Sequence, residues 1–105
     1  MYIYAESFHV EFSIENDWIH WIKENLIAEL HQTNLFTKAI FCKVLSHHDV
    51  SGNTYSVQCF TNKKENLSLF QTQYSDRIHQ LIFKKFGTKV LFFKTEIELL
   101  ETYNF

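Results

Sequence analysis

A chain of 105 residues that is 46% hydrophobic and 17% aromatic, with 11 phenylalanines, has material for one core and rings to spare. At this length roughly 60–70% of the unfolded surface leaves water on folding, so some of those rings must meet a partner subunit or a ligand. A formal net charge of -2, with no basic stripe along any helix, excludes an electrostatic nucleic-acid binder.

The first residues, Met1 to Phe12, show no basic region, no unbroken apolar run and no small-residue cleavage site, so no secretory signal is read there. No apolar stretch approaches the ~18 residues that a membrane-spanning helix needs. The expectation is a single domain over residues 1–105, cytoplasmic, without membrane association, and with both cysteines reduced.

Tyr2 to Phe12 alternates. Tyr4, Phe8, Val10 and Phe12 share one face, with Glu6 as the polar exception, and Ala5, Ser7, His9 and Glu11 share the other. That is the period of a strand. Ser13 then stands where a helix cap is wanted, followed by Glu15 and Asp17 at the positive end of the dipole. Ile14, Trp18, Trp21, Ile22, Leu26 and Leu30 recur at three- and four-residue spacing, which predicts an amphipathic helix of about four turns ending at His31. Gln32 to Leu35 turns the chain.

Lys38 to Thr61 reads as a hairpin. Its first arm sets Ile40, Cys42 and Val44 against Phe41, Lys43 and Leu45; its second sets Tyr55, Val57 and Cys59 against Ser56, Gln58 and Phe60. The connection, His47 to Asn53, holds Gly52. A register that pairs Cys42 with Cys59 also matches Val44 with Val57, whereas a one-residue slip puts the two thiols on different faces. Asn62 and Glu65 form a capping-box pattern. Leu67, Phe70, Tyr74, Ile78 and Leu81 continue at helical spacing to Phe86, with Gly87 placed for a left-handed terminus. Lys89 to Leu99 is the last strand, with Leu91, Phe93, Thr95, Ile97 and Leu99 against Val90, Phe92, Lys94, Glu96 and Glu98. The tail from Leu100 to Phe105 carries Tyr103 and Phe105, rings that expect something to dock on.

Strand, helix, strand, strand, helix, strand is the ferredoxin-like split unit: an α+β fold, βαββαβ, with a four-stranded antiparallel sheet and two helices on one face. The other face is then left to Phe41, Leu45, Phe60 and Phe92, more apolar surface than a monomer usually shows. Two copies packed sheet to sheet, as a symmetric homodimer, would cover it.

Several stretches resemble a small bacterial family, domain of unknown function 4286, found among the Bacteroidetes. They are Met1-Tyr2-Ile3-Tyr4, Trp18 and Trp21 with Lys23-Glu24, Thr33 with Phe36, Thr54-Tyr55-Ser56-Val57-Gln58, and Phe93-Lys94-Thr95. The resemblance runs nearly end to end and implies a relative of the dimeric α/β-barrel proteins, among them antibiotic-biosynthesis monooxygenase-like domains, with no activity to carry over. Where the family pattern has a His-Ile-Pro run in the first helix this chain has Leu26-Ile27-Ala28, and Lys94 stands where it has Arg. Any role of that His does not transfer.

Between two such sheets Ser7, His9, Lys43, Gln58 and Lys94 are expected to converge among phenylalanine rings, as polar groups do in a small-molecule pocket. His9 is the candidate catalytic base near neutral pH, and Ser7, Lys43, Gln58 and Lys94 are the candidate ligand-binding groups for a small apolar molecule. The bland alternative is that they satisfy one another across an interface. Glu6, if buried, is a functional candidate through desolvation, and otherwise an edge residue or a lysine partner. His47, His48 and Asp49 are metal-ligand types, and His20 and Glu24 sit four apart on a helix, but neither group supplies a full ligand set, and no metal is expected. C-x-x-C, G-x-G-x-x-G, P-loop, nucleophile-elbow and H-E-x-x-H motifs are missing, so no cofactor is expected either. Three functions follow: a homodimeric binding or accessory module, a cofactor-independent monooxygenase-like or isomerase-like enzyme with His9 as base, or a purely structural interaction protein.

Overall fold

The computed structural model describes residues 1–46 and 49–105. Strand β1 (Tyr2–Glu11) leads through a 3-10 turn, Phe12–Ile14, into α1 (Glu15–Trp21). A π turn, Ile22–Leu26, joins α1 to α2 (Ile27–Gln32). Strands β2 (Lys38–Lys43) and β3 (Gly52–Thr61) follow, then α3 (Glu65–Gln73), α4 (Ser75–Phe86), a 3-10 turn and β4 (Val90–Glu98). The strands lie in the order β2-β3-β1-β4, each pair antiparallel. With the helices on one face, this is the ferredoxin-like βαββαβ arrangement.

The core is the layer between that face and the helices. Tyr4, Phe8 and Val10 from β1 and Tyr55, Val57 and Cys59 from β3 meet Trp18, Ile22, Leu26 and Leu30 from the first helical segment, and Leu67, Phe70, Ile78, Ile82 and Phe86 from the second. Trp18 is fully buried at its centre, with ring centroids 5.1 Å from Tyr55, 5.4 Å from Phe8 and 5.8 Å from Phe41. Gly52 opens β3 because a Cβ there would lie 2.0 Å from the Val10 carbonyl oxygen.

Both helical segments depart from the single helices that periodicity predicts, for one reason. The buried residues of the first recur every fourth position, at 18, 22, 26 and 30. In a regular α-helix each such step over-rotates by about 40°, and three of them would swing Leu30 off the sheet. The π turn, closed by the Ile27 N–H on the Ile22 carbonyl, absorbs the surplus rotation. In the second segment Phe70, Tyr74, Ile78, Ile82 and Phe86 repeat the same spacing, and the helix breaks at Tyr74 (φ -126°) and restarts. Ile82, not Leu81, is therefore the buried residue.

Neither expected cap acts as one. The residue before α1 is Ile14, and Ser13 makes no cap hydrogen bond. Lys64 precedes α3, while the Thr61 hydroxyl takes the place expected of Asn62, accepting from the Lys63 N–H at 3.2 Å and from Asn66 Nδ2 at 3.0 Å. Gly87 does adopt positive φ, at 63°.

The hairpin register is the main correction. Ala39 pairs with Cys59, Phe41 with Val57 and Lys43 with Tyr55. That is an odd shift from the Cys42–Cys59 pairing, so every β2 side chain changes face. Phe41 turns inward onto Trp18 and Tyr55, Cys42 turns outward, and the two thiols end on opposite faces. Phe92 likewise belongs to the helix-bearing face, where its ring contacts Phe8 and stacks on His79. Among the described residues the tail docks on nothing. The Leu99 N–H donates to the Met1 carbonyl at 2.9 Å, and beyond it Leu100, Tyr103 and Phe105 are exposed.

Candidate functional site on the open sheet face

On the helix-free face the register sets side chains in rows across the sheet. Leu91, His9 and Thr54 form one row; Phe93, Ser7, Ser56 and Cys42 form the next. Thr95, Ala5, Gln58 and Ile40 come third, and Ile97, Ile3, Phe60 and Lys38 last. A polar stripe of Thr54, Ser56 and Gln58 along β3, joined by Ser7 and His9 from β1, thus runs between apolar flanks on β4 and β2. Leu91 and Phe93 expose 59% and 66% of their surface. For a sheet face without helices, that is unpartnered hydrophobic area.

His9 closes one end of the stripe. Its Nε2 lies 3.1 Å from Ser51 Oγ and 3.7 Å from Asp49 Oδ2, while Ser51 Oγ donates to Asp49 Oδ1 at 2.7 Å and the Ser51 N–H donates to the same oxygen at 2.8 Å. Asp49 and Ser51 form an Asx turn, the local pattern that Asp-x-Ser favours before a glycine. Ser51, two residues after Asp49 and next to Gly52, is the signal in the sequence for this turn. An imidazole held by a hydroxyl and a carboxylate, at the rim of an apolar face, can take a proton from a bound molecule, and the carboxylate can stabilise the imidazolium that results.

Of the five residues expected to converge, Ser7, His9 and Gln58 share this face. Lys43 and Lys94 do not. Lys43 stands opposite Tyr55 on the helix-bearing face, near Glu15. The Glu15 carboxylate there accepts from Asn53 Nδ2 at 2.6 Å and Tyr55 O–H at 2.5 Å, tying α1 to β3. Those two donors hold its carboxyl below the usual range, with Lys43 adding to the effect, while burial and Glu15 together push the Tyr55 phenol up to about 12. Lys94 stands opposite Glu6, its ammonium 5.9 Å over the Tyr4 ring and 3.3 Å from Glu96. The expected open-face group therefore loses both of its cations.

Glu6 is buried, and its partner is neither an edge nor a lysine. His79 Nε2 from α4 lies 2.8 Å from Glu6 Oε2, and Ser75 Oγ lies 3.4 Å from His79 Nδ1. Residues 75, 78, 79 and 82 occupy one helical face, so the spacing that identifies Ile78 as core also marks His79. Burial first, then the Glu6 charge, pushes the neighbouring Tyr4 phenol up to about 12, and the same pair of causes does so for the Cys59 thiol. With Ser75 sealed in the core, this chain of polar groups holds α4 to β1 and offers no exposed nucleophile.

His47 and His48 lie outside the described residues. Among the described residues no group of three His, Cys, Asp or Glu could hold a metal ion. Glu24 lies inside the π turn and His20 before it, so that pair is not set on a regular α-helix. Among the described residues no helix is long and apolar enough to cross a membrane.

A four-stranded antiparallel sheet with its helices on one face and the other face bare defines the class: a ferredoxin-like α+β domain. The chain belongs to the family described as Domain of unknown function (DUF4286), whose sequence model matches residues 1–100. Among solved structures it is similar to HapK from Hahella chejuensis, with a TM-score of 0.70 at 7% identity, over 99% of this chain and 97% of that one. It is also similar to a candidate antibiotic biosynthesis monooxygenase from Deinococcus radiodurans, with a TM-score of 0.67 at 11% identity, over 100% and 98% of the two chains. At these identities the likeness is one of fold. No curated protein matches the sequence.

Proposed function

We propose that two copies of this chain pack open face to open face and hold a small apolar molecule between their sheets, as a cytoplasmic binding module. The observation that carries the reading is the bare face itself. Phe93 and Leu91 on one flank, Ile40 on the other and Phe60 at the end border a stripe of hydroxyls and one amide, a composition suited to a ligand with a large apolar body and few polar points. Sedimentation at micromolar concentration tests the assembly, and a monomer overturns the reading. For the ligand, a panel of aromatic and polycyclic small molecules is screened by thermal shift. A ligand at a hundredfold excess over its Kd adds about 2.7 kcal/mol, which moves the midpoint of a domain this size by roughly 10 °C or more. A flat response across the panel leaves the purely structural dimer.

A second reading is favoured by the His9–Ser51–Asp49 group. In it the same cavity performs proton abstraction, with His9 as base, and the fold shared with the Deinococcus radiodurans protein lends it analogy only. The test is deuterium exchange from heavy water into an enolisable aromatic ketone that binds. Exchange lost in His9→Gln, with binding kept, supports it; no exchange in the wild type removes it.

A further inference from the structure

The tail is bare: Leu100, Tyr103 and Phe105 all stand in solvent, and among the described residues Tyr103 pairs with the tail's own Glu101. What could cover it follows from the topology. β4 and β2 are the two edges of the sheet. β4 ends at Glu98 beside Tyr2, Tyr2 lies opposite Thr61, and Lys38 lies opposite Phe60, so the end of β4 and the start of β2 are at the same end of the sheet. A two-fold axis parallel to the strands, midway between two facing sheets, lays β4 of one copy over β2 of the other with those ends together. The tail then emerges beside the second copy's β2.

A receptor is present there. Between α2 and the outer edge of β2 lies a groove of about 190 Å³, floored by Ile27, Leu30, Phe36 and Ala39, with His31 and Lys38 among its lining residues. Six extended residues reach roughly 20 Å, against about 10 Å between packed sheets, enough to pass round the edge. The chemistry matches as well: Tyr103 and Phe105 bring rings to an apolar floor, and Lys38, whose ammonium lies 4.6 Å over the Phe60 ring, stands at the sheet edge that the acidic Glu101 would pass. The outer edge of β2 also offers unpaired backbone groups to an extended chain. Resting on the open-face dimer above, we propose that residues 100–105 of each copy dock in the α2–β2 groove of the other, as exchanged arms.

The test uses the full chain with a photo-crosslinking benzoylphenylalanine in place of Phe105, irradiated in a mixture of tagged and untagged copies. The expected product joins two chains, with the crosslink mapping to residues 27–39. Truncation after Leu99 should weaken the dimer at least tenfold by sedimentation, with the far-UV spectrum unchanged. Glu101→Lys and Lys38→Glu should each weaken it, and the double exchange should restore it. Crosslinks within one chain or at the His9 end of the second copy, or a truncated chain that dimerises as before, overturn the inference and leave the open-face dimer standing. A full-length chain that sediments as a monomer removes both.

Discussion

Replacing Phe93 with glutamate puts the sharpest demand on the open-face dimer. Phe93 sits at the centre of β4, opposite Ser7, and leaves 66% of its surface in water. Of the roughly 200 Å² that an aromatic side chain presents, that is about 130 Å². At about 25 cal/mol per Å² its burial contributes about 3 kcal/mol per copy. Symmetry doubles the figure, and Phe93→Glu adds two carboxylates to a dry interface. Against this stand the losses of freedom on association, which is why area overstates affinity. Taking half of the gross figure gives about 3 kcal/mol, a weakening of at least a hundredfold in Kd.

The assay is sedimentation velocity across a concentration series, run beside a urea melt. The pairing matters because Phe93 contributes nothing to the Trp18-centred core. The variant should sediment as a monomer at concentrations where the wild type is dimeric, and its far-UV spectrum should match the wild type's. A dimer of unchanged affinity would refute the reasoning, since it would place the interface on another face.

Other outcomes follow from the helix-bearing face. His79→Phe alone leaves the buried Glu6 carboxylate without its imidazole and should cost about 3–5 kcal/mol, while Glu6→Leu combined with His79→Phe should recover most of the loss; a urea-denaturation double-mutant cycle with no coupling would contradict the pair. Glu15 has its folded pKa depressed below the unfolded value near 4.3, so its stabilisation is present above that pH and is lost as pH falls through the folded pKa. Glu15→Gln should remove about 1–2 kcal/mol at neutral pH and flatten the acid limb of the stability profile; an acid limb identical to wild type counts against the Tyr55–Glu15–Asn53 tie. With its thiol pushed up to about 12 by burial, Cys59 in a Cys42→Ser chain should react with a disulfide reagent only on unfolding, and prompt labelling of the native protein would be the contrary result.

Strand and helix positions could be read from periodicity to within a residue or two, because β1, β3 and the two helical segments each have one face that must leave water. What periodicity could not supply was phase. In the helical segments, three- and four-residue spacings count equally as helix, so a run of fours at 18, 22, 26 and 30 does not announce the π turn needed to keep it in line. In β2 and β4 the difficulty is greater, because both of their faces carry apolar residues: Ile40 against Phe41, Phe93 against Phe92. Alternation then has two equally good solutions, and the long connection over residues 44–51 does not fix a register as a tight turn would.

The deciding contact is tertiary. Trp18 needs a ring beside it, and only Phe41 on β2 fills that space, which forces Lys43 to the helix side and Cys42 to the open side. On β4 the same choice is made by Val90, buried against the core, and it carries Lys94 with it. The misplaced lysines and the bare apolar face therefore share one cause. A strand that is apolar on both sides hides its register from a reader of the sequence, and in this fold the side turned away from the helices is the side left bare.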